Sequence, residues 1–384
     1  MTNINGKTGG WKSILIFAGS YISYYFGSGY ATGQDLMQYY LRFAYGWHFL
    51  LGPMLALVIF WYYNWSFTRA GAREKFKQHG DIFTYYCGKI IGLAFDIFII
   101  ISCGLCYMVM CSGAAAALAQ QFAMPEWLGA VIFCFFVVTT NIFGLRGIVR
   151  VLGQLGPILI VSVFLISLFT LARSYENIPE GFRLIREGNL GQISIGPNLW
   201  IGSIFHSVTV IGWFAAFSAE LGARSDLKEL STGIVLACFA VLVTTTVGSF
   251  ALIGNIKEVA TAAIPNLILA NRLSPLLGNF FAFIVLGSVY TTAVPLLWTT
   301  SSRFAGGDLS RRFRLITVGV GVLGLLMALY VPYRSFINII YTLCSYIGIV
   351  MLLFMLLRDA RFFLAGRKFA KAAEAAGGEG EGGR

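Results

Sequence analysis

The chain has 384 residues, of which 57% are hydrophobic and only 12% charged, with a formal net charge of +11. Soluble domains carry a charged share of roughly 25%, and apolar runs of about 20 residues recur here from end to end, each long enough to cross a ~30 Å hydrocarbon layer. The composition excludes an ordinary soluble domain and predicts an all-α integral membrane protein.

Ten spans are predicted, over 12–41, 48–68, 88–121, 128–145, 150–172, 198–222, 230–254, 276–302, 314–331 and 335–357. The first follows Lys7 and Lys12 but lacks a small-residue cleavage site, so it reads as a permanent helix rather than a leader. It contains "FGSGYATGQDL" (26–36), which sets three glycines, an amide and a carboxylate where backbone groups must be satisfied within the protein. Glycines there let the helix unwind around 26–29 and turn its freed backbone groups toward a water-accessible cavity; a glycine-lined packing seam is the other reading. The stretch "KFAKAAEAAGGEGEGGR" (368–384) is expected to be an irregular tail.

Orientation follows from Lys and Arg. With the N-terminus inside, 21 of the 28 basic residues fall on the cytoplasmic side, including Arg69, Arg73, Arg311 and Arg312, and seven fall outside. Both termini are therefore expected in the cytoplasm of a bacterial inner membrane, and the basic balance serves topology and contact with anionic lipid rather than nucleic acid. Of the seven cysteines, all but Cys87 lie in spans. Cys103 and Cys106 form a CxxC without a second pair or a histidine nearby, and read as small packing residues.

A shift of about 185 residues superposes spans 2 to 5 on spans 7 to 10, and "FGSGYATGQDL" aligns without gaps to "IGWFAAFSAEL" (211–221), pairing Gly27 with Gly212 and Asp35 with Glu220. Five spans is an odd number, so the second half enters from the opposite side. The expected fold is a 5+5 inverted repeat with spans 1 and 6 discontinuous, the pattern that marks a transporter site near the midplane. The organisation is then a cytoplasmic segment 1–11, a first repeat 12–172, an external loop 173–197, a second repeat 198–357 and a basic, Gly-rich tail 358–384.

"GSYISYYFGSGYATGQD" (19–35) resembles the first-span signature of YkvI-type bacterial membrane proteins, G-x-G-F-A-S-G-Q-E, distant members of the amino acid–polyamine–organocation superfamily with the LeuT fold. Tyr30 stands where Phe is usual, Thr32 for Ser and Asp35 for Glu, and Tyr24 and Tyr25 are bulkier than the residues common there. The resemblance implies a secondary transporter whose spans 1 and 6 carry the substrate. The half-helix beginning near Gly29 then offers N–H groups to a carboxylate, and the half-helix ending near Ile211 offers carbonyls to an ammonium, a pair that fits an amino acid or another small zwitterion. Ser28 and Thr209 add hydroxyls; Tyr25, Tyr30, Phe205 and Trp213 wall the site.

"VLGSVYTTAVPLLW" (285–298) is similar to the LeuT-type sodium-binding stretch. Ser288, Thr291 and Thr292 share one helix face, and carbonyls at Ser23 and Phe26 complete an oxygen set for a hard cation. Hydroxyls bonded back to their own helix are the competing reading. Span 5 has no lysine to substitute for sodium. Asp35 and Glu220 are placed toward the cytoplasmic ends of their broken helices, as gating or coupling carboxylates or as solvated helix-end acids. His206 precedes the second break, toward the outside, as a pH-sensitive gate or a packed ring.

These residues imply a sodium-coupled symporter of a small amino-acid-like solute, with no cofactor beyond the ion. A proton-coupled permease, or a non-transporting receptor or assembly subunit of the same fold, are the alternatives. Enzyme chemistry has no support, since no nucleophile–base pair, metal cluster or phosphate loop is present. Cysteines introduced in 173–197 should react with impermeant thiol reagents from outside intact cells; labelling from the cytoplasmic side alone would reverse the orientation.

Overall fold

A computed structural model describes residues 10–76, 80–143, 148–191, 193–305 and 310–378. The expected N-terminal segment before Gly10, the tail beyond Gly378 and the side chain of Ser23 lie outside the described residues. All regular elements among the described residues are helical. Seven helices are long and apolar enough to cross a membrane, eight if one bent pair is counted as a span.

The first expected span is three consecutive helices, α1 (Trp11–Tyr25), α2 (Ser28–Thr32) and α3 (Gln34–Tyr39). A 3₁₀ turn at Trp47–Leu50 leads into α4 (Leu51–Glu74), followed by α5 (Asp81–Phe122), kinked at Gly88, then α6 (Glu126–Phe143) and α7 (Ile148–Ser174). The segment 173–197, expected as an external loop, holds α8 (Ile178–Glu187). Pro179 sits in its first turn and left-handed Gly188 ends it, while Ile178, Phe182 and Ile185 put one apolar face on the core.

The sixth expected span is α9 (Leu199–Thr209) and α10 (Ile211–Arg224), bent by 48° at Val210. Then come α11 (Leu227–Ile253), two short helices α12 (Ile256–Val259) and α13 (Pro265–Leu273), α14 (Pro275–Ala305) and α15 (Arg311–Tyr330). The last helix, α16 (Tyr333–Gly378), continues well into the segment expected to be irregular from residue 368. Its "KFAKAAEAA" is built mostly of strong helix formers.

Helix α4 packs on α9 and α10, α1 on α11, and α5 on α14, α15 and α16. Between α4 and α10 the backbones touch. A Cβ on Gly71 would lie 1.9 Å from the Ala219 carbonyl oxygen, and one on Gly222 would lie 2.1 Å from that of Thr68. Small residues permit such approach between membrane helices, where van der Waals packing rather than a hydrophobic drive holds the pair. Polar links add to it. Ser218 Oγ donates to Asn64 Oδ1 at 2.6 Å, and Tyr21 Oη donates to Ser218 Oγ at 3.0 Å, tying α1, α4 and α10 together.

Gly71→Val should force the α4–α10 pair apart and destabilise the fold by about 1–3 kcal/mol or more, read as a lowered Tm of the purified protein. An unchanged Tm would contradict the contact.

Candidate functional site

Helix α1 stops at Tyr25. Phe26 leaves helical geometry although its N–H still reaches the Ile22 carbonyl at 2.7 Å, and Gly27 is extended (φ −75°, ψ −162°). This is the break expected at 26–29. A second follows at Gly33, whose left-handed backbone (φ +88°) ends α2 after five residues and starts α3. Only glycine adopts this conformation freely, and a Cβ there would also lie 2.9 Å from Asn266 Oδ1.

The carbonyls near this second break find partners from α13 and from the break itself. Asn266 Nδ2 donates to the Tyr30 and Ala31 carbonyls at 3.1 and 3.2 Å, and Thr32 Oγ1 to the Gly29 carbonyl at 3.0 Å. In the other direction, Gln34 Nε2 donates to the Ala262 and Ala263 carbonyls at 2.8 and 3.0 Å. Asn266 is a residue of this break that the sequence reading missed. It lies in "IPNLILA" (264–270), too short for a span and without a periodic signal that separates it from a loop.

The two turns re-aim Asp35. Its carboxylate is buried, with Oδ2 3.8 Å from His206 Nε2 and Oδ1 without a hydrogen-bond partner among the described residues. Tyr40 Oη bonds His206 Nδ1 on the other side of the ring. Asp35 was expected to share its surroundings with Glu220; it stands instead beside His206, just past the second break. Glu220 is half-exposed and pairs with Arg224 one turn along α10 at 3.1 Å, so the two carboxylates that the repeat aligns have different surroundings. An unpaired buried carboxylate costs several kcal/mol, and the His206 ring stands beside this one.

The room for this carboxylate comes from Gly29. A Cβ there would overlap Asp35 Oδ1 at 2.0 Å. Tyrosines close the surroundings. The rings of Tyr25, Tyr30 and Tyr39 lie 5.6, 5.4 and 4.5 Å from that of His206, and Tyr25 and Tyr30 are 5.5 Å apart. Tyr39 Oη meets Thr209 Oγ1 at 3.0 Å, and Thr209 bonds the Phe205 carbonyl and Ser345 of α16 at 2.7 and 2.6 Å. Tyr39 and Tyr40, which carry much of the link between α3 and α9, were not singled out because aromatics are abundant throughout the chain.

Other expected residues fall at the edges. Phe205 is buried against Tyr346, 5.0 Å between ring centroids. Ser28 is buried on α2 and Trp213 is half-buried against the core. A Cβ on Gly212 would overlap Ile99 of α5, so this glycine serves close packing. Carbonyls expected to meet an ammonium are partly engaged: Phe205 O accepts from Thr209 and Ser345, and Ser207 O from Tyr63. A narrow cleft lined by Phe95, Ile99, Ser102, Gly212 and Ile347 reaches the bend at Val210.

The threonines proposed for a cation bond within their own helix. Thr291 and Thr292 donate to their own Ser288 carbonyl at 2.8 and 3.0 Å, the back-bonded arrangement. Still, a Cβ on Gly27 would lie 4.0 Å from Thr292 Oγ1, so α14 faces the first break at this height. Among the described residues no cluster of three or more His, Cys, Asp and Glu could hold a metal ion.

The segment expected to be external packs over α3 and α16. Ile195 N–H donates to the Gln38 carbonyl at 2.9 Å, Asn338 Nδ2 to the Ser194 carbonyl at 3.0 Å, and Arg334 to the Gly191 carbonyl at 2.9 Å.

No protein-family model matches the chain. It is 24% identical over 154 residues, 40% of its length, to the uncharacterized protein YyaD of Bacillus subtilis (strain 168). Over 141 residues, 37% of its length, it is 24% identical to the uncharacterized membrane protein YkvI of the same organism, which bears out the first-span resemblance. These matches span 43% and 40% of the relatives' own lengths.

Solved structures match more widely. A mutant of the manganese transporter of Eremococcus coleocola covers 92% of this chain and 80% of its own, at 15% identity and a TM-score of 0.56. A Na⁺-coupled sialic acid symporter in a substrate-bound outward-open state covers 89% and 78%, at 14% identity and a TM-score of 0.59. MhsT in complex with L-phenylalanine covers 88% and 87%, at 13% identity and a TM-score of 0.55. The likeness is one of fold: the chain is a multi-pass helical membrane protein similar to LeuT-fold transporters, and the proteins it resembles are transporters rather than enzymes.

Gly29→Leu should leave membrane insertion intact while displacing Asp35 and abolishing solute uptake. Normal uptake by a correctly inserted variant would contradict the site.

Proposed function

We propose that the chain is a secondary active transporter that moves a small solute across the bacterial inner membrane, between the breaks of α1–α3 and the bend of α9–α10. The observation that carries this reading is that the two interruptions meet. Asp35 and His206, Tyr40 and His206, and Tyr39 and Thr209 join them in one buried cluster. Broken helices that face each other in the membrane are the arrangement of a site that opens to alternate sides.

Ten spans in a 5+5 inverted repeat fit this reading, with α1–α3 and α9–α10 as the discontinuous pair. The packing pattern supports it. Exchanging the halves maps the α1–α11 contact onto α9–α4, and α5–α6 onto α14–α15, and all four pairs are in contact. The bias of basic residues favours both termini in the cytoplasm.

Sodium-coupled symport of an amino-acid-like or zwitterionic solute is the finer proposal. Among the structurally similar transporters are a Na⁺-coupled symporter and a protein with bound L-phenylalanine, and Thr292 faces the first break from α14. Here Thr291 and Thr292 would turn from the Ser288 carbonyl to the ion. The Asp35–His206 pair favours a second reading, coupling to protons, because it sets two groups able to take up and release a proton side by side between the broken helices. A receptor that keeps the fold without moving solute is distinguished by the absence of uptake.

Uptake of labelled amino acids into proteoliposomes, driven by a sodium or a pH gradient, decides among these. Each charge-assisted ligand contributes about 1.5–3 kcal/mol, so the Thr291→Ala, Thr292→Ala double variant should raise the sodium concentration for half-maximal uptake at least tenfold. Uptake that needs no sodium and follows the pH gradient would remove the ion from α14 and leave the Asp35–His206 pair as the coupling element.

A further inference from the structure

Away from the broken helices, a surface cleft of about 450 Å³ opens between α4 and α11, lined by Trp65 and Arg69 of α4 and by Lys228, Ser231, Thr232 and Ile234 of α11. Pockets of roughly 300–1,000 Å³ are the size that holds small ligands. Arg69 lies near the end of α4 and Lys228 near the start of α11, on the side where the basic residues are concentrated. This is the level at which lipid headgroups meet a span. The Arg69 guanidinium stands over the Trp65 ring at 4.4 Å. Neither Arg69 nor Lys228 enters an ion pair among the described residues. The acids at this end are engaged elsewhere. Asp226 caps α11 by accepting from the Lys228 and Glu229 N–H groups at 2.9 and 3.0 Å, Glu229 accepts from the Gly10 N–H at 2.7 Å, and Glu220 pairs with Arg224. Asp226 thus takes up the N-terminus of α11, and the charge of the cleft is that of its two basic side chains.

Toward the middle of the span the walls turn apolar. Trp61 and Trp65 stack at 6.0 Å and share a face of α4 with Arg69. On α11, Lys228, Thr232, Val235 and Phe239 follow one another at helical spacing. Trp61, Val235 and Phe239 are exposed. A basic rim set with hydroxyls, continued by an exposed apolar track, matches a molecule with phosphate at one end and hydrocarbon at the other.

We propose that this cleft binds an anionic glycerophospholipid, with the phosphate held by Arg69, Lys228 and the Ser231 hydroxyl and the acyl chains lying along Trp61, Val235 and Phe239. Arginine forks onto phosphate through two parallel hydrogen bonds, and lysine adds a point charge. Basic pockets between membrane helices recognise anionic headgroups in this way. A free phosphate would use the rim alone; the apolar track below it is what favours a lipid. The bound lipid bridges α4 and α11. Since α4 packs on α9 and α10 and α11 packs on α1, it joins the helices that brace the two broken pairs. The site depends on the membrane-spanning fold and not on what the chain transports.

The test is native mass spectrometry of the purified full-length protein, titrated in detergent with dioleoylphosphatidylglycerol and with dioleoylphosphatidylcholine. The two lipids share their acyl chains and differ in headgroup charge. The expected result is that wild type retains phosphatidylglycerol with a Kd at least about tenfold lower than that for phosphatidylcholine. The Arg69→Gln, Lys228→Gln double variant should lose most of that difference. The Arg311→Gln, Arg312→Gln double variant, altered on α15, should keep it. The Tm of each variant in lipid-free detergent shows that it is folded. Equal affinity of wild type for the two lipids overturns the proposal, and this arm needs no variant to fold. A preference that survives in the folded Arg69→Gln, Lys228→Gln protein overturns it too. So does a preference lost equally in both double variants, which reduces the effect to diffuse surface charge. Displacement of phosphatidylglycerol by millimolar inorganic phosphate at constant ionic strength identifies a free-anion site and overturns the lipid. Uptake plays no part in these readouts, so failure of the transporter reading leaves them standing.

Discussion

A chain that breaks its helices inside a bilayer must satisfy the freed backbone groups with protein, because hydrocarbon offers no hydrogen bonds. Much of this structure follows from that requirement. Glycines make the interruptions at residues 27 and 33 possible, but α13 makes the second one tolerable by bringing the Asn266 amide to the carbonyls of Tyr30 and Ala31. The exchange runs both ways, since Gln34 of α3 serves the carbonyls of Ala262 and Ala263 just before α13. Neither segment could keep its shape in lipid without the other.

The consequence for chemistry is positional. An uninterrupted helix through residues 26–39 would carry Asp35 on a face set by helical periodicity alone. Two turns of backbone instead fold it against Gly29 and bring it to His206, from the other broken pair. The aromatic rings then form a shell that excludes water and strengthens electrostatic contacts inside it. Threonine and serine hydroxyls at the rim, Thr209 and Ser345 among them, hold α3, α9 and α16 in register without adding charge.

Much of this could be read from the sequence, for identifiable reasons. Apolar run lengths are set by bilayer thickness, so the long helices fall close to their expected places. The first break was legible because polar and glycine residues in a span violate a strong physical rule. The second was not. Gly33 looks like its neighbours Gly27 and Gly29, and its left-handed conformation becomes evident only beside Asn266, more than 230 residues away. The same gap misplaced Asp35, because the repeat aligned it with Glu220 and carried no information on a turn present in one half alone. Helix α8 escaped notice because ten amphipathic residues on a membrane surface look like a polar loop, and the extension of α16 because glycine-rich composition at the chain's end outweighed the alanine-rich stretch before it.

The glycine contact between α4 and α10 bears on how the molecule can move. With backbone pressed on backbone at Gly71 and Gly222, neither helix can slide or roll past the other without steric overlap, so the two form one rigid unit. Helix α9 also packs on α4, but the extra joint in its chain lies at Val210, where the bend stands. Helix α9 is gripped in the same way from α16, where a Cβ on Gly348 would lie 2.1 Å from the Val208 carbonyl oxygen, so both arms of the sixth span are anchored and the bend at Val210 lies between the two anchors.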